Sequence, residues 1–213
     1  MTETHPHTAT EFWEARYRDR GRLWSGRPNA LLVREASGLR PGTALDLGCG
    51  EGADAVWLAS RGWQVTGVDI SHTALERAAG HAAEAEVTDR TAWERHELGE
   101  TFPEGSFDLV NAQFLQSPVA LDQQLILRQA AAAVAPGGTL LLVMHANWPS
   151  WQSEPPFEAE FPTLESVLDE LALPQADWTV ETLDTVRSAS MSPDCVEGFR
   201  YDNVWRIRRA DHA

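Results

Sequence analysis

The segment from residue 43 to residue 71 restricts the fold of this chain more than any other part of its sequence. An apolar run that contains Asp46 is broken by the turn Gly48-Cys49-Gly50-Glu51-Gly52, and residues with helical apolar spacing follow. A second apolar run then ends at Asp69. This order predicts a βαβ unit. Because ligands of parallel sheets lie outside the carboxyl ends of the strands, Asp69 is placed to bind two ribose hydroxyls. Glycines allow a ligand to approach the backbone closely, so the unit is predicted to bind a nucleoside.

The spacing alone leaves the kind of nucleoside open. Gly48, Gly50 and Ala53 also fit the dinucleotide pattern, and Asp69 lies 19 residues after Gly50. Asp46 points away from a dinucleotide, because its charge would oppose a pyrophosphate. The same carboxylate suits a ligand that carries an ammonium or sulfonium group.

Three further strands are predicted at 92–98, 107–112 and 139–144. Polar side chains stand at or near the carboxyl ends of the predicted strands. Because these ends meet along one edge of a parallel sheet, we expect the side chains to converge there. They are Asp46, Asp69, Glu97, Gln113 and His145.

Four ordered segments, LDLGCGEG, VDIS, FDLVNAQF and VAPGGTLLLV, resemble the class I S-adenosylmethionine-dependent methyltransferases. The N-terminal FWEARYRDRGRLWSGRPN is similar to the opening of the thiopurine, halide and tellurite-resistance branch. The resemblance implies a Rossmann-like α/β fold. Its sheet has seven mostly parallel strands, helices on both faces and an antiparallel C-terminal hairpin, here residues 178–186 and 203–209.

The resemblance also implies S-adenosylmethionine as cofactor and a small aromatic or polarizable acceptor. Glu97 stands where the family more often has an aspartate near the adenine. The implied cofactor contacts are Trp24, Arg27, Asp46, Gly48, Cys49, Gly50, Asp69, Ile70, Glu97, Leu98, Gln113 and Phe114. The expected acceptor contacts are Trp13 and Tyr17 in the N-terminal segment, which the resemblance implies covers the site, together with His145 at the sheet edge and Trp148 and Trp151 in an irregular aromatic segment.

Methyl transfer from a sulfonium is an in-line displacement that positioning alone can accelerate strongly. A general base is needed only if the acceptor keeps its proton near neutral pH, and His145 is the residue of this edge whose ordinary pKa suits that role. A histidine that only orients a loop is the simpler interpretation. A thiol, halide or chalcogen oxyanion would need no base, and a non-catalytic cofactor-binding module is a third hypothesis.

Charge and composition restrict the partners and the cellular compartment that we expect for this chain. The net charge of −15 argues against nucleic acid and anionic membranes as partners. Two cysteines favour a reducing cytoplasm, and no apolar run is long enough to span a membrane. The sequence shows no metal-ligand cluster. We expect a monomer or homodimer with a disordered tail at 1–9 and a single domain at 10–213. Within that domain, 10–40 form cap helices and 146–162 form a lid-like loop.

Overall fold

The computed structural model describes residues 8–21, 23–152, 154, 160–192 and 194–211. Its strands are β1 (Thr43–Leu47), β2 (Gln64–Asp69), β3 (Thr91–Arg95), β4 (Phe107–Gln113), β5 (Val134–His145), β6 (Trp178–Met191) and β7 (Glu197–Arg209). They form one sheet in the order β3-β2-β1-β4-β5-β7-β6. Strands β1 to β5 are parallel, whereas β7 is antiparallel to β5 and β6 is antiparallel to β7. This confirms the predicted fold class.

The helices are α1 (Ala9–Arg18), α2 (Ala30–Ala36), α3 (Ala53–Ser60), α4 (His72–Glu84), α5 (Gln123–Ala132) and α6 (Leu164–Leu171), with a 3₁₀ turn at Thr88–Arg90. Two apolar cores cover the two faces of the sheet. One packs α5 and α6 around the fully buried Trp205. The other packs α2 and α3 against Leu109 and Leu141 on the opposite face. Strands β1, β2, β4 and β5 are therefore mostly buried on both sides, as their apolar sequences require, whereas the edge strand β3 is mostly exposed.

The hairpin is longer than the sequence indicated. Pairing continues from Trp178 opposite Arg209 to Met191 opposite Glu197. The antiparallel pair of β5 and β7 ends with His145 opposite Asp202. The far end of the hairpin therefore projects beyond the carboxyl edge of the parallel strands, where the candidate site lies.

Helix α1 begins one residue earlier than predicted. Residues 1–7 of the predicted tail lie outside the described residues, but Thr8 is the N-cap of α1 and Ala9 is its first residue. The Thr8 hydroxyl accepts the Glu11 N–H, and the Glu11 carboxylate accepts the Thr8 N–H, both at 3.1 Å. This capping box satisfies two backbone donors and fixes the start of the helix.

The described part of the predicted lid, 146–152 with 154 and 160–162, contains neither helix nor strand. Its remaining residues, 153 and 155–159, lie outside the described residues. Among the helices of the described chain, none is long and apolar enough to cross a membrane.

Candidate cofactor and acceptor site

The glycine turn and the end of β2 form the base of the site. Gly48, Gly50 and Gly52 all have left-handed backbones, with φ of 67°, 54° and 80°, which glycine adopts without a steric cost. The Gly50 N–H donates to Asp69 Oδ2, and the Ser71 N–H donates to Asp69 Oδ1, each at 2.9 Å. The Asp69 carboxylate is thus fixed, while each oxygen retains a lone pair for a ligand. Burial raises the pKa of Asp69 to about 6.

Gly50 also allows aromatic side chains to lie close to the turn. A Cβ at this position would meet the Tyr17 hydroxyl at 2.9 Å and Trp24 Nε1 at 3.2 Å. Trp24 Nε1 donates to the Tyr17 hydroxyl at 3.0 Å. The predicted cap at residues 10–40, here called the cap segment, therefore lies directly over the glycine turn.

A cavity of about 900 Å³ opens above these residues. Its wall combines the carboxyl edge of the sheet with α1 and the segment that follows it. The predicted site residues on this wall are Trp13, Tyr17, Trp24, Arg27, Gly48, Cys49, Gly50, Asp69, Ile70, Glu97, Leu98, Gln113 and Phe114.

The cavity wall is acidic. Besides Asp69 and Glu97, it includes Asp54, whose Oδ1 accepts the Asn29 N–H at 2.6 Å. Burial raises the pKa of Asp54 to about 6. Such a wall favours a cationic ligand over an anionic one.

Asp46 precedes the glycine turn and is buried away from the cavity wall, and its Oδ2 has no hydrogen-bond partner among the described residues. Asn111 Nδ2 donates to Asp46 Oδ1 at 2.7 Å, and Gln113 Nε2 donates to Asn111 Oδ1 at 2.6 Å. This chain of hydrogen bonds leaves Gln113 Oε1 buried, without a partner among the described residues. A buried carbonyl oxygen in this state is costly unless a ligand donates to it.

The His145 side chain does not line the cavity, because the Phe114 ring lies between them. Its imidazole stacks on Phe114, with ring centres 4.2 Å apart and planes at 23°. Nδ1 lies 2.7 Å from Asp202 Oδ1, and Nε2 lies 3.4 Å from an Arg200 guanidinium nitrogen. Gln116 Oε1, on the cavity wall, accepts a hydrogen bond from the backbone N–H of His145 at 2.7 Å. The sequence placed His145 on the shared edge, but Phe114 separates it from the cavity.

Trp148 and Trp151 do not line the cavity either. Trp148 packs edge-on against Phe161 at 5.6 Å, and Trp151 lies beneath the Arg200 guanidinium at 5.3 Å. The reason is that residues 146–150 continue along β7. The Ala146 N–H donates to the Tyr201 carbonyl and the Ser150 N–H to the Phe199 carbonyl. The described part of the predicted lid thus covers the end of β7.

Comparison with known proteins identifies the family. Residues 44–138 match the family described as "Methyltransferase domain". Over 173 residues, the chain is 32% identical to the 2-heptyl-1-hydroxyquinolin-4(1H)-one methyltransferase of Mycobacteroides abscessus, covering 77% of this chain and 71% of that protein. This chain belongs to the class I S-adenosylmethionine-dependent methyltransferase family.

Other relatives match over shorter stretches. The 27-O-demethylrifamycin SV methyltransferase of Amycolatopsis mediterranei is 41% identical over 46% of this chain. The chain spans 36% of that protein and 40% of the ribosomal RNA small subunit methyltransferase C of Alcanivorax borkumensis. It therefore spans less than half the length of these two relatives.

Solved structures agree on the architecture of this chain. A structure from work on the conversion of a disulfide bond into a thioacetal group during echinomycin biosynthesis is 25% identical, with a TM-score of 0.73 over 96% of this chain and 94% of that one. TehB from Haemophilus influenzae has a TM-score of 0.68 at 13% identity, over 94% of this chain and 67% of its own. At 13% identity the likeness shows the fold alone.

Several residues that fix the geometry of this site have no signal in local sequence. Arg77 of α4 donates to Glu51 Oε1 at 2.9 Å and to the Tyr17 carbonyl at 2.9 Å. Glu51 also accepts the Leu23 N–H at 3.2 Å, so the pair ties the cap segment to the glycine turn. Glu14 likewise accepts the Ser71 hydroxyl at 2.7 Å. Glu51 stands in the glycine motif, which is the one signal that could have found it.

Proposed function

We propose that this chain transfers the methyl group of S-adenosylmethionine to a heteroatom of a small acceptor with an aromatic or heterocyclic ring. The observation that carries the proposal is Asp69, held in place above a left-handed glycine turn at the floor of an acidic cavity. At about 900 Å³, the cavity is at the upper end of the range that single small molecules occupy. It therefore has room for a cofactor and an acceptor together.

The strand order β3-β2-β1-β4 sets the direction in which the cofactor lies. With the ribose on Asp69 at the end of β2, the adenine extends toward Glu97 and Leu98 after β3. The methionine end then extends toward β4, two strand spacings or about 10 Å away. There Gln113 Oε1 accepts a hydrogen bond from the ammonium group of the cofactor, which gives this buried oxygen a partner. The Arg27 guanidinium pairs with the carboxylate of the cofactor.

The acceptor class is supported by the aromatic side chains on the wall and by the relatives. The name of the Mycobacteroides abscessus relative gives a flat, bicyclic hydroxyquinolone as its substrate. Trp13 and Phe114 supply ring surfaces for such an acceptor, whereas the Tyr17 ring is buried against the wall. Trp13 is held in place because its Nε1 donates to the Ser117 hydroxyl at 3.2 Å.

His145 is assigned as the general base for an acceptor that carries a proton. Its Nδ1 hydrogen donates to Asp202, which leaves the lone pair of Nε2 to accept a proton. Asp202 fixes the tautomer and ring orientation and stabilises the imidazolium. This role requires the acceptor to pass the edge of the Phe114 ring, which lies between the imidazole and the cavity.

Methyl transfer tests this function directly. Purified protein is incubated with S-adenosylmethionine and 1-hydroxyquinolin-4(1H)-one, and mass spectrometry follows methylated product and S-adenosylhomocysteine. We expect both to form in equal amounts. The proposal fails if neither this acceptor nor a panel of phenols, heteroaromatic amines and thiols is methylated above the rate without protein.

Cofactor affinity should depend on pH through Asp54 and Asp69. Both have a pKa of about 6 because burial raises it above the ordinary 3.8. Ionised, they attract the sulfonium and the ribose hydroxyls, so affinity for S-adenosylmethionine should fall as pH falls through about 6. Titration calorimetry between pH 5 and pH 8 checks this. S-adenosylhomocysteine, which lacks the sulfonium charge, is the control and should change less.

Unfolding does not explain such a loss. A carboxyl group whose pKa is raised in the folded state contributes stability below its unfolded pKa, and loses that contribution as pH rises through the folded pKa. Asp54 and Asp69 therefore stabilise the fold at low pH and not at neutral pH. A constant affinity for S-adenosylmethionine across pH 6 would contradict their role beside the cation.

A further inference from the structure

Arg200 is a half-buried cation without a carboxylate partner among the described residues. Its guanidinium lies over the Trp151 ring at 5.3 Å and places one nitrogen 3.4 Å from His145 Nε2. A hydrogen bond of this length is weak, so both groups remain available to a stronger partner.

The surroundings hold this guanidinium in place. The Phe199 N–H donates to the Ser150 hydroxyl at 2.9 Å, which holds the residue before Trp151 against β7. A Cβ on Gly198 would meet the Ser150 hydroxyl oxygen at 2.5 Å and the Trp151 ring at 2.6 Å. Only a glycine lets the loop approach so closely. The contacts of Ser150 and Gly198 therefore fix Trp151 beneath Arg200 at the end of the hairpin.

The site lies directly behind the cavity wall. Phe114 lines the cavity on one side and stacks on His145 on the other. Its φ of 55° is left-handed, which is unusual for a residue other than glycine. Non-glycine residues with such backbones cluster at ligand-binding sites. The conformation brings the ring to the junction between the cavity and the pair formed by His145 and Arg200.

We propose that Arg200 and His145 together bind the reacting oxygen of an acidic hydroxyl acceptor, a class that includes N-hydroxy heteroaromatics and phenols with electron-withdrawing rings. This proposal rests on the proposed function and specifies its substrate class. The acceptor O–H takes the place that the Arg200 N–H now has at His145 Nε2.

The reaction then balances without a further reagent. The acceptor proton passes to His145 Nε2, and the resulting oxyanion is held by the Arg200 guanidinium. The oxygen forms a bond to the methyl carbon as the carbon–sulfur bond breaks, and its electron pair leaves with sulfur. The products are the methyl ether, neutral S-adenosylhomocysteine and a proton on His145, which solvent removes. Arg200 suits this step because its guanidinium offers N–H donors to the oxyanion and keeps its positive charge.

Binding of two matched probes tests the proposal. Protein saturated with S-adenosylhomocysteine is titrated with 1-hydroxyquinolin-4(1H)-one and with quinolin-4(1H)-one, which lacks the acidic hydroxyl. We expect the hydroxyl compound to bind about tenfold or more tightly, since a hydrogen bond to a charged group is strong. Arg200→Gln should abolish this preference. Arg200→Lys, which keeps the charge without the planar fork, should retain part of it.

Arg187→Gln is the matched control, because Arg187 also stacks on a ring of the same hairpin, Phe199, at 4.0 Å. It should keep the full preference. The proposal is overturned if the wild type shows no preference, or if Arg200→Gln or Arg200→Lys binds both probes as the wild type does. Binding of S-adenosylhomocysteine and methylation of an amine or thiol report separately on the proposed function. If these persist while the hydroxyl preference is absent, only the acceptor class is wrong.

Discussion

Asp69→Ala is expected to weaken the binding of S-adenosylmethionine and S-adenosylhomocysteine by about 10- to 100-fold. The substitution removes the acceptor for the ribose hydroxyls, and charge-assisted hydrogen bonds of this kind contribute ~1.5 to 3 kcal/mol. It also leaves the Gly50 and Ser71 N–H groups without the acceptor that they have now. The glycine turn therefore loses both its ligand contact and its anchor. Titration calorimetry measures the affinity of each variant.

Asp108→Ala is the control for this prediction. Asp108 Oδ2 accepts the Thr43 N–H at 2.8 Å, so the control removes a carboxylate that binds backbone at the opposite edge of the same sheet. It should alter stability without altering cofactor affinity. If Asp69→Ala binds the cofactor as the wild type does, the assignment of the ribose to Asp69 is wrong.

His145→Ala should lower kcat for a hydroxyl acceptor by about 100- to 10,000-fold, the usual contribution of a positioned base. Cofactor affinity should change little, because the side chain lies behind Phe114 and off the cavity wall. The rate with the wild type should rise with pH through one ionisation. Asp202→Asn should also lower kcat, since an amide in place of the carboxylate disturbs the His145 tautomer. Steady-state kinetics with a saturating acceptor measures these effects.

His72→Ala is the matched control. His72 is exposed and pairs with Glu76 at 3.3 Å on α4, so its loss should leave kcat unchanged. If His145→Ala keeps turnover within a few-fold and the pH profile is flat, positioning alone drives the transfer. An acceptor that needs no base, such as a thiol, halide or chalcogen oxyanion, would then be favoured.

The parts of the structure that local sequence could predict are those built from neighbouring residues. The glycine turn and the acid after the second apolar run predicted the βαβ unit, and α3 forms at Ala53–Ser60 as its spacing indicates. Asn29 caps α2 through its side chain, as expected for this residue type. These features depend on contacts a few residues apart.

The rest depends on contacts between residues far apart in the chain. Asp202 meets His145 across 57 residues, and Asn111 meets Asp46 across 65. No local pattern marks such pairs, because the register of β5 on β7 and of β1 on β4 brings them together. The same register carries residues 146–150 onto β7, which is why Trp148 and Trp151 lie away from the cavity.

The most direct test of the central claim is calorimetric titration of the wild-type protein with S-adenosylhomocysteine and, separately, with NAD. The acidic cavity, the buried acceptor on Gln113 and the carboxylate of Asp69 predict that one S-adenosylhomocysteine binds per chain and that NAD binds negligibly, because the Asp54 carboxylate on the cavity wall opposes a pyrophosphate. Binding of NAD with no binding of S-adenosylhomocysteine would contradict the account.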